Sequence, residues 1–319
     1  MSDILTADIG ATNSRFAHFE VRGQELGLVQ SVWLPTQAAS SFAELLAQLK
    51  GSGLALEPAQ AAAIALGLPG PVLGGVYCQP PYIAWDVDLA RDRGLLGPGP
   101  VLLLNDFAAQ AYACRSPIMA QAQPVLPGEV DYSAALAVIG AGSNLGHAAL
   151  LPDGRGGHRA LASEYGHAAF AFAGGREAEY QRFLAGKTGD TAPSGDAVVS
   201  GRGLRHLHWF LTGQDLEPAV VAAGLGQDSE TLRWMAGFYG RACRQWALAV
   251  LALGGVYVAG GLAARAPALV THPEFGREFR QGGGLSRLLE RTPVFLNRNQ
   301  ESGLWGAAQA ALETLATSG

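Results

Sequence analysis

Residues 4–19 read ILTADIGATNSRFAHF. The apolar start of this stretch and the 15–19 segment predict two short strands, and residues 8–13 between them have the composition of a turn. The pattern therefore predicts a β-hairpin. Glycine in such a turn lets backbone N–H groups approach a phosphate closely. Asp8 is able to hold Mg²⁺ through water and Thr12 adds a hydroxyl, although an ordinary hairpin turn uses the same residue types.

Strand and helix patterns continue along the whole chain and indicate an α/β protein. Strands are predicted at 28–34, 61–66, 101–104, 135–139, 147–151 and 256–259, and helices at 41–49, 177–184, 230–253 and 303–315. Three strand ends carry glycine turns, at Gly10, at 140–146 and at Gly260-Gly261. Repeated glycine turns at strand ends indicate phosphate binding more strongly than one such turn would.

The length and charge of the chain limit its organisation and its partners. With 319 residues, the chain is long enough for two domains with a cleft between them. The net charge is −5, from 22 basic and 27 acidic residues, and no basic block stands out. A nucleic-acid partner is therefore not expected. Glycine is unusually abundant, with 43 residues.

The cysteines and the apolar runs bear on location. Cys78, Cys114 and Cys243 are far apart, so neither a disulfide framework nor a zinc-binding pair is predicted. The N-terminal residues lack the layout of a signal peptide, and the longest apolar run, 246–253, is too short to cross a membrane. We therefore expect a cytoplasmic protein with no membrane partner.

Two nucleotide-binding motifs are matched only in part. Residues 140–146 come close to GxGxxG, but the turn residues 152–154 leave no room for the helix that a dinucleotide-binding fold needs after the glycines. Residues 186–188 resemble the end of a P-loop, but Gln181 stands where that motif requires glycine, and the preceding segment is helical in pattern. We reject both motifs.

Asn105 and Asp106 follow the predicted strand at 101–104. Carboxyl ends of strands in open α/β sheets carry ligand chemistry, and an aspartate there can accept the proton of an attacking hydroxyl. Both residue types are also preferred helix N-caps, which leaves a structural role open.

Glu164 and His167 are three residues apart, so a turn would place them on one side, where they could grip neighbouring hydroxyls. The same pair could bind a metal, but no further ligand is visible. His206 and His208 lie in a predicted helix and are interpreted as ordinary surface or core histidines.

Taken in order, these segments resemble the bacterial glucokinase family of the hexokinase, heat-shock-protein-70 and actin superfamily, over nearly the whole chain. Residues 5–15 are similar to the family's DIGGTNAR phosphate hairpin, 104–107 to its INDF catalytic segment, 140–146 to its GPGTGLG loop, 163–167 to its GEGGH sugar motif, 256–265 to its FIAGGIxPR adenosine motif, and 292–295 with 303–308 to its closing pattern.

The resemblance implies two actin-like, ribonuclease-H-like α/β domains, with mixed sheets flanked by helices, around a central cleft. It divides the chain into a small domain at 1–105, a large domain at 106–302 and a C-terminal helix at 303–319 that returns to the small domain. It also favours a homodimer.

The activity implied by the resemblance is transfer of the γ-phosphoryl group of ATP, with Mg²⁺, to the 6-hydroxyl of glucose. Asp106 is implied as the catalytic base. The implied sugar ligands are Asn105, Asp106, Glu164, His167 and Asp196. The implied nucleotide-binding residues are Asp8, which also holds the metal through water, Gly10, Ala11, Thr12, Asn13, Gly140, Ser143, Gly260 and Gly261.

The chain departs from the family pattern at four places. Ala11 replaces a glycine, Ser143-Asn144 replaces Thr-Gly, Asp196 is one methylene shorter than the family's glutamate, and residues 79–85 lack the usual Thr-Asn ahead of the tryptophan. Two alternatives follow: a kinase for another hexose or an N-acetylated sugar, and a weakly catalytic regulator that binds sugar or nucleotide.

Overall fold

The computed structural model describes residues 2–226 and 229–318. Its strands are β1 (Ser2–Ile9), β2 (Asn13–Arg22), β3 (Glu25–Pro35), β4 (Ala63–Leu68), β5 (Tyr77–Cys78), β6 (Val87–Asp88), β7 (Val101–Asn105), β8 (Gln123–Leu126), β9 (Leu136–Ala141), β10 (Leu145–Pro152), β11 (His158–Ser163), β12 (Val256–Ala259) and β13 (Val294–Leu296).

The helices are α1 (Phe42–Lys50), α2 (Leu89–Asp92), α3 (Asp106–Ala113), α4 (Arg176–Thr188), α5 (Gly195–Val198), α6 (Gly201–Thr212), α7 (Pro218–Ala223), α8 (Glu230–Val250), α9 (Gly261–Arg265), α10 (Ala268–Thr271), α11 (Pro273–Phe279), α12 (Ser286–Arg291) and α13 (Ser302–Ser318). Within the described ranges, none of these helices is both long and apolar enough to span a membrane.

The chain divides into two compact units. Unit 1 runs to Ala120 and includes Asp153–Ala162 and the segment from Asn299 onward, whereas unit 2 comprises Gln121–Pro152 and Ser163–Arg298. This division differs from the expected boundaries, because helix α3 and the 153–162 segment lie in unit 1. Helix α3 packs against helix α13 of the same unit, a contact that the order of motifs along the chain does not indicate.

The sheet of unit 1 has the strand order β3-β2-β1-β4-β7. The predicted hairpin is confirmed, since β1 pairs antiparallel with β2, while β1, β4 and β7 run parallel to one another. Helix α1 begins after the N-cap Ser41, and its apolar residues are buried in one core. Helix α13 buries Leu304, Ala307 and Ala311 in a second core with residues of β1, β2 and β4.

The strands of unit 2 pair in the order β10-β9-β12-β13-β8. Helix α8 covers this sheet with an apolar stripe that includes Leu232, Met235 and Phe238, as the helical spacing predicted. The helix ends at Val250 and not at Leu253, because Leu251 adopts a left-handed conformation with φ of 50°. A left-handed residue at this position ends a helix in the same way as the glycine that usually occupies it.

Candidate active site

Strands β1, β4 and β7 of unit 1 end at the same edge of their sheet. Asp8 lies opposite Gly67 of β4, and the next residue of β4, Leu68, lies opposite Asn105 at the end of β7. Because the three strands are parallel, the predicted site residues Asp8, Asn105 and Asp106 share this edge. Sequence order alone separated them by almost 100 residues.

The turn between β1 and β2 is the first glycine turn. Gly10 N–H donates to the Asn13 carbonyl over 3.0 Å, and the Thr12 carbonyl accepts from Thr36 N–H. A Cβ atom at Gly10 would lie 3.0 Å from the Asn13 oxygen, so even alanine is tight there. Thr12 and Asn13 are exposed and Ala11 is half-buried. The turn is thus closed on its own backbone and open on its outer side.

Asp8 forms an ion pair with Arg15, whose Nη2 lies 2.8 Å from Asp8 Oδ2. Arg15 also lies over the Trp33 ring, 4.7 Å from its centroid. Burial raises the pKa of Asp8, and the charge and hydrogen bond of Arg15 offset part of that increase. Sequence reasoning did not identify Arg15 as a partner of Asp8.

Asp8 is the carboxylate that would hold a magnesium ion beside the first glycine turn. Among residues 2–226 and 229–318, no group of three or more His, Cys, Asp or Glu side chains could hold a metal. Among the described residues, the hydrogen bond of the Asp8 side chain is made by Oδ2, to Arg15. Its other oxygen, Oδ1, can therefore accept a hydrogen bond from a metal-bound water. This donor set fits Mg²⁺, which keeps several waters and binds through one or two carboxylates together with phosphates.

Asn105 is the N-cap of helix α3. Its Oδ1 accepts from the N–H groups of Phe107 and Ala108, and its Nδ2 donates to the Gly70 carbonyl over 3.0 Å. Of Asn105 and Asp106, it is therefore Asn105 that has the helix N-cap role. Asp106 is the first residue of α3, and its Oδ1 accepts from Phe107 N–H. The carboxylate of Asp106 thus lies at the N-terminus of α3, the positive end of the helix dipole.

The second and third glycine turns lie side by side in unit 2. Strands β9 and β12 are parallel, with Ala259 opposite Gly140, and a Cβ atom at Gly260 would lie 2.6 Å from the Ala141 oxygen. Gly260 also has φ of 86°, so only glycine fits this contact. Gly140 itself is buried within β9.

The outer side of these turns is open. A Cβ atom at Gly142 or at Gly261 would meet no atom within 4 Å, and Ser143 is exposed at the tip of the β9–β10 turn. The backbone of both turns is therefore accessible to a ligand. Ala11 in the first turn is only half-buried, which leaves space there as well.

Tyr239 of α8 joins the ends of β9 and β12. Its hydroxyl accepts from Ala141 N–H over 3.1 Å and donates to the Ala259 carbonyl over 3.5 Å. Sequence reasoning counted Tyr239 only as one apolar residue of the helix. The signal it missed is the hydroxyl, because a fully buried tyrosine needs a hydrogen-bond partner.

Glu164 precedes a short 3₁₀ helix, Tyr165–His167, and His167 is the last residue of that helix. Glu164 Oε2 and His167 Nε2 are 3.8 Å apart, and the side chains are 59% and 66% exposed. The predicted pair is thus brought together and remains open to solvent. The ring of Tyr165 packs on Trp246, with centroids 5.5 Å apart, and on His147, with centroids 5.6 Å apart.

Asp196, the remaining expected sugar ligand, is 5% exposed. Its Oδ1 accepts from Leu145 N–H over 2.6 Å, and its Oδ2 accepts from Arg202 Nη2 over 2.8 Å. Both carboxylate oxygens are therefore engaged within the protein. Its role as a sugar ligand stays a prediction.

The segments that resemble a P-loop and a dinucleotide-binding motif have the secondary structure that the sequence predicted. Residues 186–188 are the last three of helix α4, and strand β10 begins at Leu145, where a dinucleotide-binding fold would begin a helix. His206 and His208 lie in helix α6, and His208 Nδ1 is 3.1 Å from Thr231 Oγ1.

Comparisons with known proteins identify the family. The family model described as Glucokinase matches residues 5–314. A glucokinase of Chromobacterium violaceum is 34% identical over 98% of this chain and 90% of its own length. The structure of a glucokinase from an Antarctic psychrotroph has a TM-score of 0.83 at 25% identity, covering 98% of this chain and 99% of that one.

A second solved structure, a glucokinase of Balamuthia mandrillaris in complex with glucose, has a TM-score of 0.77 at 18% identity, covering 98% of this chain and 93% of that one. These similarities confirm the predicted fold class, the α/β fold of the hexokinase and actin superfamily. The model match over nearly the whole chain and the 34% identical relative agree with the motif order. The chain belongs to the glucokinase family.

Proposed function

We propose that the protein transfers the γ-phosphoryl group of ATP to the 6-hydroxyl of glucose and releases glucose 6-phosphate and ADP. The observation that carries this proposal is the shared sheet edge of unit 1. There the carboxylate of Asp106 lies at the start of α3, at the same edge as the open glycine turn that follows Asp8. Phosphoryl transfer depends on positioning and charge stabilisation, and this edge has groups suited to both.

Asp106 is proposed as the base. Its carboxylate accepts the proton of the 6-hydroxyl while the hydroxyl oxygen attacks the γ-phosphorus and ADP leaves. Asn105 is proposed to hold the same sugar and also caps α3, so it fixes the backbone from which Asp106 projects.

Glu164 and His167 are proposed to bind the other sugar hydroxyls. Their exposure and their 3.8 Å separation suit two neighbouring hydroxyls of one ring. Glucose is the favoured sugar because the relative from Chromobacterium violaceum and the solved structure from an Antarctic psychrotroph are both named glucokinases. The alternatives, another hexose and a weakly catalytic regulator, are not favoured.

ATP is the proposed phosphoryl donor, and its bound Mg²⁺ would neutralise charge on the phosphates. The residues proposed to hold the nucleotide are those of the glycine turns, namely Gly10, Ala11, Thr12, Asn13, Gly140, Ser143, Gly260 and Gly261. The open outer sides of the turns support this assignment. Asp8 is proposed to hold the magnesium through water, since one of its oxygens is paired with Arg15 and the other has no partner given by the described residues.

A homodimer and a cytoplasmic location complete the proposal. Only 15% of the residues are charged, and this low share supports the proposal that apolar surface is available for self-association. The three cysteines are free and buried, as expected for a protein in a reducing compartment.

The test is formation of glucose 6-phosphate from Mg-ATP and glucose, followed through coupled dehydrogenase absorbance. The wild-type protein is expected to turn over, and Asp106→Asn is expected to lower kcat by about 10²- to 10⁴-fold because the base is lost. Asp131→Asn is a matched control, because it removes an exposed carboxylate that bonds only Ser133 among the described residues. Full turnover by Asp106→Asn would contradict the base assignment, and no product from the wild type would contradict the proposed function.

A further inference from the structure

Tyr165 lies inside the sugar motif, residues 163–167, between the proposed sugar ligands Glu164 and His167. The family motif GEGGH has glycine at the position of Tyr165. The side chains of Glu164 and His167 are 59% and 66% exposed, so little of the protein packs around them. This chain therefore has a large aromatic side chain between two exposed ligands, where the motif has none.

The backbone of the motif is held by short-range bonds and by one bond beyond its end. His167 N–H donates to the Glu164 carbonyl over 2.9 Å, within the 3₁₀ helix Tyr165–His167. After that helix, the Ala168 carbonyl accepts from Gly195 N–H over 2.9 Å. Hydrogen bonds of a 3₁₀ helix have poor geometry, so these bonds shape the segment locally and hold it weakly at the Glu164 end.

The ring of Tyr165 packs on two buried rings, those of His147 in β10 and Trp246 in α8. His147 is 2% exposed and Trp246 is 4% exposed. The centroid of the Tyr165 ring is 5.6 Å from that of His147 and 5.5 Å from that of Trp246. The two buried rings also contact each other, with centroids 5.2 Å apart and planes at 75°. Each of the three rings thus contacts the other two, at distances typical of aromatic pairs.

The two buried rings are fixed within unit 2. Strand β10 pairs with β9 from Leu145 to Leu150, and this pairing includes His147. Trp246 Nε1 donates to the Ala148 carbonyl of the same strand over 2.9 Å, so α8 is tied to β10 at this point. Tyr165 therefore joins the sugar motif to a surface that a sheet and a long helix hold in place.

This contact bears on how tightly a sugar can bind. Exposed side chains on a loosely held segment lose conformational freedom when they bind a ligand, and that loss lowers the affinity. The ring contacts of Tyr165 restrict the segment when the protein folds, before a sugar is bound. Glu164 and His167 are thereby held in place through the backbone that they share with Tyr165.

We propose that Tyr165 positions Glu164 and His167 for the sugar by anchoring their segment on His147 and Trp246. This inference rests on the proposed function in naming glucose as the ligand. Tyr165 acts through its neighbours in the chain and is therefore a positioning residue. Its replacement by glycine, the residue of the family motif, is accordingly expected to weaken glucose binding.

The test is equilibrium binding of glucose and of Mg-AMPPNP, a non-hydrolysable ATP analogue, each measured separately by titration calorimetry. Tyr165→Ala is expected to weaken glucose about tenfold, because two side chains must then be ordered on binding, and to change the Kd for AMPPNP by less than about twofold. Tyr165→Phe, which keeps the ring, is expected to bind glucose as tightly as the wild type. In turnover, Tyr165→Ala should raise KM with little change in kcat.

Two further variants make the comparison specific. Phe183 of α4 is a half-buried ring on another part of unit 2, with its centroid 5.7 Å from that of Trp209. Phe183→Ala removes a ring of similar size and is expected to leave both Kd values unchanged. Glu164→Gln is expected to weaken glucose and to spare AMPPNP, as loss of a sugar ligand should.

Hydrogen exchange of residues 163–167 gives a readout that does not depend on a ligand. Exchange in this segment should be faster in Tyr165→Ala than in the wild type, and unchanged in Phe183→Ala. AMPPNP binding shows whether a variant is folded. If Tyr165→Ala does not bind AMPPNP, Tyr165→Leu takes its place, because leucine keeps apolar bulk on the two rings; its Kd for glucose should rise about threefold.

The inference is overturned if the folded variant without the ring binds glucose as tightly as the wild type, or if its 163–167 segment exchanges no faster. It is also overturned if Tyr165→Phe loses as much affinity as Tyr165→Ala, since the hydroxyl and not the ring would then be needed. A wild type that binds glucose but forms no glucose 6-phosphate contradicts the proposed function, and the Kd values of the variants still decide the inference. A wild type that binds no glucose contradicts both.

Discussion

The two glycine turns that follow β1 and β9 are held in different ways. The first closes on its own backbone through Gly10 and Asn13, with a further bond from nearby Thr36. The second is held by side chains from three helices, namely Tyr239 of α8, Asp196 of α5 and Arg202 of α6. The second turn also closes on its own backbone, since Gly142 N–H donates to the Asn144 carbonyl over 2.8 Å. The first turn thus depends on backbone bonds nearby in the chain, whereas the second can also be altered by changing side chains far along the chain.

The largest effect is expected for Gly166→Ala. A Cβ atom there would lie 2.1 Å from the Leu145 carbonyl oxygen, so the sugar-motif turn and the second glycine turn must move apart. We expect a loss of about 3 kcal/mol in the free energy of unfolding, measured by urea denaturation. A decrease of less than about 1 kcal/mol in the free energy of unfolding would show that the two turns are not tightly packed against each other.

Tyr239→Phe is expected to cost about 2 kcal/mol, because removal of the hydroxyl leaves the buried Ala141 N–H unpaired. The same change should also weaken Mg-AMPPNP, since Tyr239 joins β9 to β12. Phe238→Leu is a control on the same helix that removes ring packing and no hydrogen bond. If Tyr239→Phe were as stable as the wild type, side-chain support of the second turn would be unimportant.

A pH effect is expected from His147, which lies in β10 behind Tyr165. Burial lowers the pKa of His147 to about 4, so the folded state keeps this ring neutral. The unfolded chain binds the proton first, with a pKa near 6.5, and stability is therefore lost as the pH falls from about 7 toward 4. At pH 5.5 the loss should be about 1 kcal/mol.

His147→Gln removes this titration. Urea denaturation of wild type and variant at pH 7.5 and 5.5 should show a smaller pH-dependent loss in the variant. Equal losses in the two proteins would mean that His147 is not the group that titrates.

The smallest effect on stability is expected for Gly142→Ala, because a Cβ atom there meets nothing within 4 Å. The free energy of unfolding should change by less than about 0.5 kcal/mol. Affinity for Mg-AMPPNP should nevertheless fall, because a methyl group would stand where the open turn faces phosphate. If Gly142→Ala bound Mg-AMPPNP as tightly as the wild type, the nucleotide would not bind at the turn that contains Gly142.

Much of the fold could be predicted from the sequence, because strand and helix periods are local. The hairpin, the strands before Asn105 and before Gly260, and the long helix α8 all followed from patterns of a few residues. The end of α8 did not, because Leu251 adopts a conformation that glycine usually provides. The shared edge of Asp8 and Asn105 was not predicted, because local patterns do not give the order of the strands in a sheet.

The side-chain support of the site could not be predicted in this way. Tyr239 and Ala141 are 98 residues apart, and Asp196 and Leu145 are 51 apart. No local period indicates such pairs, and the residue type of Asp196 was compatible with a sugar ligand and with a loop support alike. The bonds of Asp196 to Leu145 and Arg202 became visible only in the structure.

The most direct test of the account is the identity of the product, read by ³¹P NMR of wild-type protein with Mg-ATP and glucose. We expect one new sugar phosphate, glucose 6-phosphate, formed in equal amount to ADP, and no phosphoryl transfer to 6-deoxyglucose. ADP release with inorganic phosphate alone, or a phosphate on another hydroxyl of glucose, would contradict it.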